Sequence, residues 1–190
     1  MIKVEKTSLD DVLVIHTRKF VDNRGFFAEI YNREDFVENG ITDVFVQDNH
    51  SYSKTSGVLR GLHFQLPPHA QSKLIRVTRG SVFDVAVDIR KGSPTFLKWV
   101  GLELSTDNCL QLYIPSGFAH GYVTLEDDTE LLYKVSEFYA PDCERTINYK
   151  DPTIGIQWPI NSDHLILSEK DQIARPIGEV DLFNYQRMPK

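Results

Sequence analysis

The sequence is poor in several features that would restrict its function or its compartment. It has only two cysteines in 190 residues, Cys109 and Cys143. Their spacing matches no metal or redox motif, so the pair reads as two reduced thiols, with a single disulfide as the alternative. No run approaches the roughly 20 apolar residues of a membrane span. The opening Met-Ile-Lys-Val-Glu-Lys is not followed by the apolar stretch of a signal peptide. A cytoplasmic location without a membrane partner is therefore expected. Positive charge is in deficit, with a formal net charge of −6. Nothing global draws such a chain to nucleic acid, so any phosphate must be met by a local basic pocket. There is no internal repeat, no low-complexity segment and no G-x-G-x-x-G nucleotide fingerprint.

What is present suits one globular domain over residues 1–190, with 41 % hydrophobic and 25 % charged residues. Short runs rich in Val, Ile, Phe, Leu and Tyr recur between Gly, Pro, Asn and Asp. Strands are expected at Val12–Thr17, Gly25–Tyr31, Val44–Ser51, Val58–Gln65, Lys73–Arg79, Val82–Ile89, Lys98–Leu104, Leu110–Pro115, Ala119–Leu125 and Glu130–Tyr139. In Val82–Ile89, Phe83, Val85, Val87 and Ile89 alternate with Asp84, Ala86 and Asp88, which predicts one dry and one polar side. Helical signal is scarce. Asn32 is placed to cap a short helix ending near Asn39-Gly40, and another is expected near Ser168–Gln172. The remainder of the last ~40 residues should wrap the body irregularly. Many strands and few helices mean an all-β sandwich, jelly roll or barrel.

Four segments carry residues suited to chemistry. In Val58–Arg79, Arg60, His63, Gln65, Lys73 and Arg76 stand among strand formers, and His63 shares a face with Gln65 opposite Leu62 and Phe64. In Leu110–Thr124, the turn Pro-x-Gly-x-x-His from Pro115 to His120 feeds a histidine into a strand. These two segments resemble the paired motifs of the cupin superfamily, which are double-stranded β-helix barrels. The metal ligands usual in cupins are incomplete, because Gln65 replaces the second histidine and the expected glutamate falls at His69 or Ala70. Two imidazoles alone hold a metal poorly, so none is expected. Near the N-terminus, Phe27 and Glu29 are expected on one strand face, as are Gln47 and Asn49. Further on come Tyr133, Tyr139 and Ser168-Glu169-Lys170-Asp171. A tyrosine in a cationic pocket can serve as an acid, and a carboxylate on a histidine sets its tautomer.

Six strings in order are together similar to the dTDP-4-dehydrorhamnose 3,5-epimerase family over essentially the whole chain. They are DNRGFFAE, FVQDNHSYS, GVLRGLHFQLPPHAQSKLIRV, YIPSGFAHGY, LYK and SEKD. The resemblance implies a cupin-type jelly-roll barrel with a few short helices, no cofactor and no metal, acting on a dTDP-4-keto-6-deoxyhexose. It implies His63 as general base oriented by Asp171, Tyr133 as acid on the opposite face of the sugar, and substrate contacts from Arg24, Glu29, Gln47, Asn49, Arg60, Lys73, His120, Glu144 and Lys170. Tyr139 would stack on thymine and Phe27 would line the nucleotide site. A homodimer is also implied, with the Arg24–Glu29 region reaching into the partner's site. The chain departs from the family at Leu97, where glycine is usual, and at Asn148-Tyr149, where a tryptophan-containing string is common.

Removing a proton α to a ketone gives an enolate, so such a site needs a base, an acid on the other face and a cation at the oxyanion. Lys73 is suited to the last role. Three other readings stay open at this level. One is an epimerase that inverts only C3 or only C5. Another is a cupin that binds a carbohydrate or nucleotide without catalysis. The third is a metal-dependent cupin enzyme.

Overall fold

A computed structural model describes residues 2–185. Its strands are β1 (Lys3–Lys6), β2 (Leu13–His16), β3 (Phe20–Asp22), β4 (Gly25–Phe27), β5 (Gln47–Ser53), β6 (Leu59–Gln65), β7 (Lys73–Arg79), β8 (Ser81–Asp88), β9 (Arg90–Lys91), β10 (Trp99–Ser105), β11 (Leu110–Ile114), β12 (Phe118–Thr124), β13 (Thr129–Val135), β14 (Glu144–Thr146) and β15 (Phe183–Asn184). Six form one sheet in the order β1-β2-β11-β7-β13-β5. Five form the facing sheet in the order β10-β8-β12-β6-β14. This is the expected jelly-roll barrel, in which two antiparallel sheets bury their inner faces on each other.

Between the sheets lies a plug of Ile75, Val82, Ala86, Leu104, Leu112, Ile114, Phe118 and Leu131. A second layer covers the outside of the five-stranded sheet. There Leu62, Phe64, Val85, Val87 and Ile89 meet Ile147, Ile154 and Ile177 from the C-terminal wrap. That layer corrects the reading of β8. Its Asp84, Ala86 and Asp88 are as fully buried as Val85 and Val87. The face expected to be polar and wet points into the barrel, and the other is sealed by the wrap. The buried carboxylates are satisfied: Asp88 accepts from Arg90, Ser93 and Thr95.

Other corrections are local. The strand expected at Gly25–Tyr31 ends at Phe27 and pairs only with β3 in an exposed two-stranded hairpin. Glu29 therefore shares no strand face with Phe27. The strand expected at Val44–Ser51 starts at Gln47 and runs to Ser53. The one expected at Glu130–Tyr139 stops at Val135. The first helix, α1 (Arg33–Glu38), is capped by Asn32, whose side chain accepts from Glu34 N, and gives way to Gly40 at φ 85°. Leu97 has φ 65°, a conformation that glycine takes at lower cost, while its side chain packs at the margin of the outer layer. Tyr149 fills a core position beside Leu59 and Val123.

Two glycines set the close approach of β6 and β12. Gly61 has φ 139°, and a methyl group there would lie 2.5 Å from Gly121 Cα and 2.9 Å from His120 O. The register shifts at this point, between His120 and Tyr122. It leaves His63 directly paired with His120. Two imidazoles thus enter the lumen side by side from neighbouring strands.

Candidate active site

The lumen not filled by the apolar plug is a cavity of about 610 Å³. It is lined by His63, Lys73, Tyr133, Asp171, Arg60, His120, Tyr139, Glu144 and Lys170, together with Ser51, Tyr122 and Ser168. Gln47 and Asn49 line an adjoining cavity that shares His63, Lys73, Tyr133, Tyr139 and Glu144. Of the expected residues, only Arg24, Phe27 and Glu29 lie away from these cavities. Arg24 pairs with Asp22 and Glu29 accepts from Asn32, both exposed, and Phe27 is 69 % exposed on the hairpin. Within the main cavity three cations, Arg60, Lys73 and Lys170, stand against two carboxylates, Glu144 and Asp171. The local field therefore opposes the sign of the chain's net charge.

His63 reaches this cavity because β6 alternates, with Leu62 and Phe64 held in the outer layer. Its Nε2 lies 2.6 Å from Asp171 Oδ1. An ionised carboxylate only accepts, so Nε2–H donates and the Nδ1 lone pair is left free. Asp171 comes from α2 (Glu169–Gln172), a single turn capped by Ser168. Ser168 Oγ accepts from Asp171 N and donates to Asp171 Oδ2 at 2.8 Å. Both carboxylate oxygens are thus engaged. Burial pushes the Asp171 carboxyl up, but the hydrogen bonds from His63 and Ser168 and the charge of Lys170 outweigh it and hold the carboxyl below its ordinary value. Burial lowers the His63 imidazole against the pull of Asp171, and Lys170 and Lys73 lower it further. The ring is therefore neutral near pH 7 and available as a base.

Tyr133 enters from β13 on the opposite sheet. Burial raises its phenol above the ordinary value, Arg60 opposes and Glu144 adds to the rise. It keeps its proton at neutral pH, as an acid must. Lys73, at the start of β7, donates to the His63 backbone carbonyl at 3.3 Å. Burial brings its ammonium down to about 8, against the attraction of Asp84 and Glu144. Glu144 Oε1 sits 2.5 Å from Lys170 Nζ, and its Oε2 accepts from Tyr139 OH at 3.0 Å. Among the described residues, no group of three His, Cys, Asp or Glu side chains is arranged to hold a metal.

Sequence reasoning missed Asp84. Both of its oxygens lie 3.0 Å from His120 Nε2, so a second carboxylate–imidazole pair stands beside the first. The one signal was Ala86, a small apolar residue between Asp84 and Asp88 that suits a packed interior better than a wet face. Tyr122 and Ser51 were also missed. Their hydroxyls are 2.8 Å apart, and burial raises the Tyr122 phenol to about 12.

Known proteins share this arrangement of sequence and fold. The family model described as dTDP-4-dehydrorhamnose 3,5-epimerase matches residues 6–179. The dTDP-4-dehydrorhamnose 3,5-epimerase of Shigella flexneri is 51 % identical over 95 % of this chain and 98 % of its own. A crystal structure of dTDP-6-deoxy-D-glucose-3,5-epimerase from Legionella pneumophila, in complex with dTDP-4-keto-L-rhamnose, superposes with a TM-score of 0.94 at 44 % identity, covering 98 % of this chain and 100 % of that one. A 3'-monoepimerase from Streptomyces bikiniensis in complex with dTDP-quinovose reaches 0.84 at 31 % identity, covering 92 % of this chain and 87 % of that one. With a carboxylate-held imidazole, a buried phenol and an ammonium in one barrel, and this likeness along the whole chain, the protein belongs to the dTDP-4-dehydrorhamnose 3,5-epimerase family of isomerases.

Proposed function

We propose that this chain inverts C3 and C5 of dTDP-4-dehydro-6-deoxy-D-glucose to give dTDP-4-dehydro-L-rhamnose, in dTDP-L-rhamnose biosynthesis. The observation that carries this reading is the convergence of the His63–Asp171 pair, Tyr133 and Lys73 on one cavity. His63 Nδ1 removes the proton α to the C4 ketone. The electron pair moves into the ring and onto O4, where the Lys73 ammonium stabilises the enolate. Tyr133 returns a proton from the opposite face, which inverts the centre. Asp171 holds the His63 ring and stabilises the imidazolium formed in the first step.

Tyr139 stacks on the thymine. Glu144, Lys170, Arg60, Gln47 and Asn49 contact the rest of the substrate, and Arg60 suits the diphosphate because a guanidinium fork binds it bidentately. Arg24, Phe27 and Glu29 act from a neighbouring copy in a homodimer. The hairpin that carries Arg24 and Phe27 exposes Phe20, Val21, Phe26 and Phe27, an apolar surface suited to burial against another chain. Sedimentation should give a mass near twice 21.8 kDa; the mass of one chain would remove this arm from the site.

Inversion at both centres is favoured over a mono-epimerase by the higher identity to 3,5-epimerases than to the 3'-monoepimerase. The test is NMR of dTDP-4-keto-6-deoxyglucose incubated with the protein in heavy water. Deuterium should appear at both C3 and C5. Label at one carbon alone would make it a mono-epimerase, and no label at either would end the epimerase reading.

The pH dependence follows from the same groups. His63 works unprotonated and Lys73 protonated, so kcat/KM should be bell-shaped. The acid limb should fall below the ordinary histidine value of 6.5, because burial lowers His63. The alkaline limb should lie near pH 8, where Lys73 loses its charge. Lys73→Arg, whose guanidinium stays protonated, should move that limb upward. An alkaline limb that stays in place in this variant would take the cationic role from Lys73.

A further inference from the structure

Past β13 the chain runs through Ser136–Ala140 without joining a sheet, yet it carries two large exposed aromatics, Phe138 and Tyr139. A segment of this kind must find partners for its backbone groups outside any ladder. Here three glutamines supply four of them, beside Ser72 O for Ser136 N and Glu137 Oε1 for Phe138 N. Gln71 Nε2 donates to Glu137 O at 2.7 Å. Gln65 Nε2 donates to Phe138 O at 3.1 Å. Gln47 Oε1 accepts from Tyr139 N at 3.3 Å, and Gln65 Oε1 accepts from Ala140 N at 2.9 Å. Four successive residues are thus gripped by side-chain amides from β5, β6 and the β6–β7 connection.

Gln65 is the centre of this clamp. It is 4 % exposed, and its second Nε2 proton goes to His69 O at 2.7 Å. Both of its N–H bonds and one oxygen lone pair are used. Among the described residues, it alone grips the chain on both sides of Tyr139 with its side chain. It also stands two residues from His63 on the same strand, so the clamp and the imidazole share one element.

We propose that Gln65 is a positioning residue for substrate recognition, holding the Tyr139 ring at a set distance from the proton-abstracting imidazole. The ligand is a planar pyrimidine base of a nucleoside diphosphate, and the proposal rests on the reading of Tyr139 as its stacking surface. Stacking on a half-exposed ring is productive only if the ring is already in place, because a loose loop must be ordered at the moment of binding. The sugar is held by other groups, so the clamp acts on binding and not on proton transfer.

The test uses Gln65→Met, which keeps the length of the side chain and removes all three hydrogen bonds. The Kd for dTDP and the KM for dTDP-4-keto-6-deoxyglucose should both rise about tenfold, with kcat within about twofold. In a Tyr139→Ala background, Gln65→Met should add nothing to the loss of dTDP affinity, since a residue acting through Tyr139 has nothing left to position. Gln71→Met releases only the Glu137 grip and should raise Kd about threefold; it carries the test if Gln65→Met does not fold. The proposal is overturned if Kd and KM are unchanged in the variants, if the loss falls on kcat instead, or if the full loss persists in the Tyr139→Ala background. Wild-type protein that does not bind dTDP would remove the stacking reading itself, and the clamp's role with it.

Discussion

Replacing His63 by alanine should lower epimerisation by about 10³- to 10⁴-fold, the scale of a lost general base, while the Kd for dTDP changes by less than about threefold. The two readouts separate because His63 acts at the sugar carbons, whereas the nucleotide is held by Tyr139 and the cations around the cavity. The substitution has a structural cost of its own. Asp171 is 3 % exposed, and losing its 2.6 Å partner leaves a buried carboxylate oxygen unpaired, a penalty of about 1–3 kcal/mol. His63→Gln is therefore the companion variant, because its amide nitrogen stands about where Nε2 does and can still donate towards Asp171 but is no base. It should recover thermal stability without recovering turnover. Rapid turnover in either variant would take the proton-abstracting role away from His63.

Tyr133→Phe should divide the reaction in two. The base and the oxyanion cradle remain, so deuterium should still wash from heavy water into the keto sugar. Return of the proton from the opposite face should fail, and inversion should fall by about 10²- to 10³-fold. The packing change is small, since phenylalanine keeps the ring against the plug and, among the described residues, the Tyr133 hydroxyl has no hydrogen bond to lose. Exchange and inversion monitored together distinguish this outcome from a general loss of fold, which would lower both equally. Inversion at the wild-type rate would show that another group, such as Tyr122 on the same cavity, delivers the proton.

Much of the architecture is legible along the chain. The alternation of β6 correctly set His63 and Gln65 against Leu62 and Phe64. The Pro115–His120 turn forms with Gly117 at φ 92° and delivers His120 into β12. Asn32 caps the first short helix as its position suggested, and the second forms within the expected Ser168–Gln172. These features depend on neighbours within a few residues, where steric and hydrogen-bonding rules act locally. The lengths of β4, β5 and β13 were less legible, because a strand ends where its partner ends.

The order of residues by itself determined the all-β class, the faces that alternate along each strand, the turns that feed the histidines inward and the family to which the chain belongs. Only the tertiary structure decided which face of β8 is the lumen, that Asp171 meets His63 across 108 positions, that Asp84 stands behind His120, and that three glutamines hold the Tyr139 segment. The reason is physical. Alternation distinguishes two sides of a strand but does not say what covers either, and here the C-terminal wrap makes the outer side dry and leaves the aspartates facing inward. Pairings between distant side chains arise when two sheets close on each other, an event that no local pattern encodes.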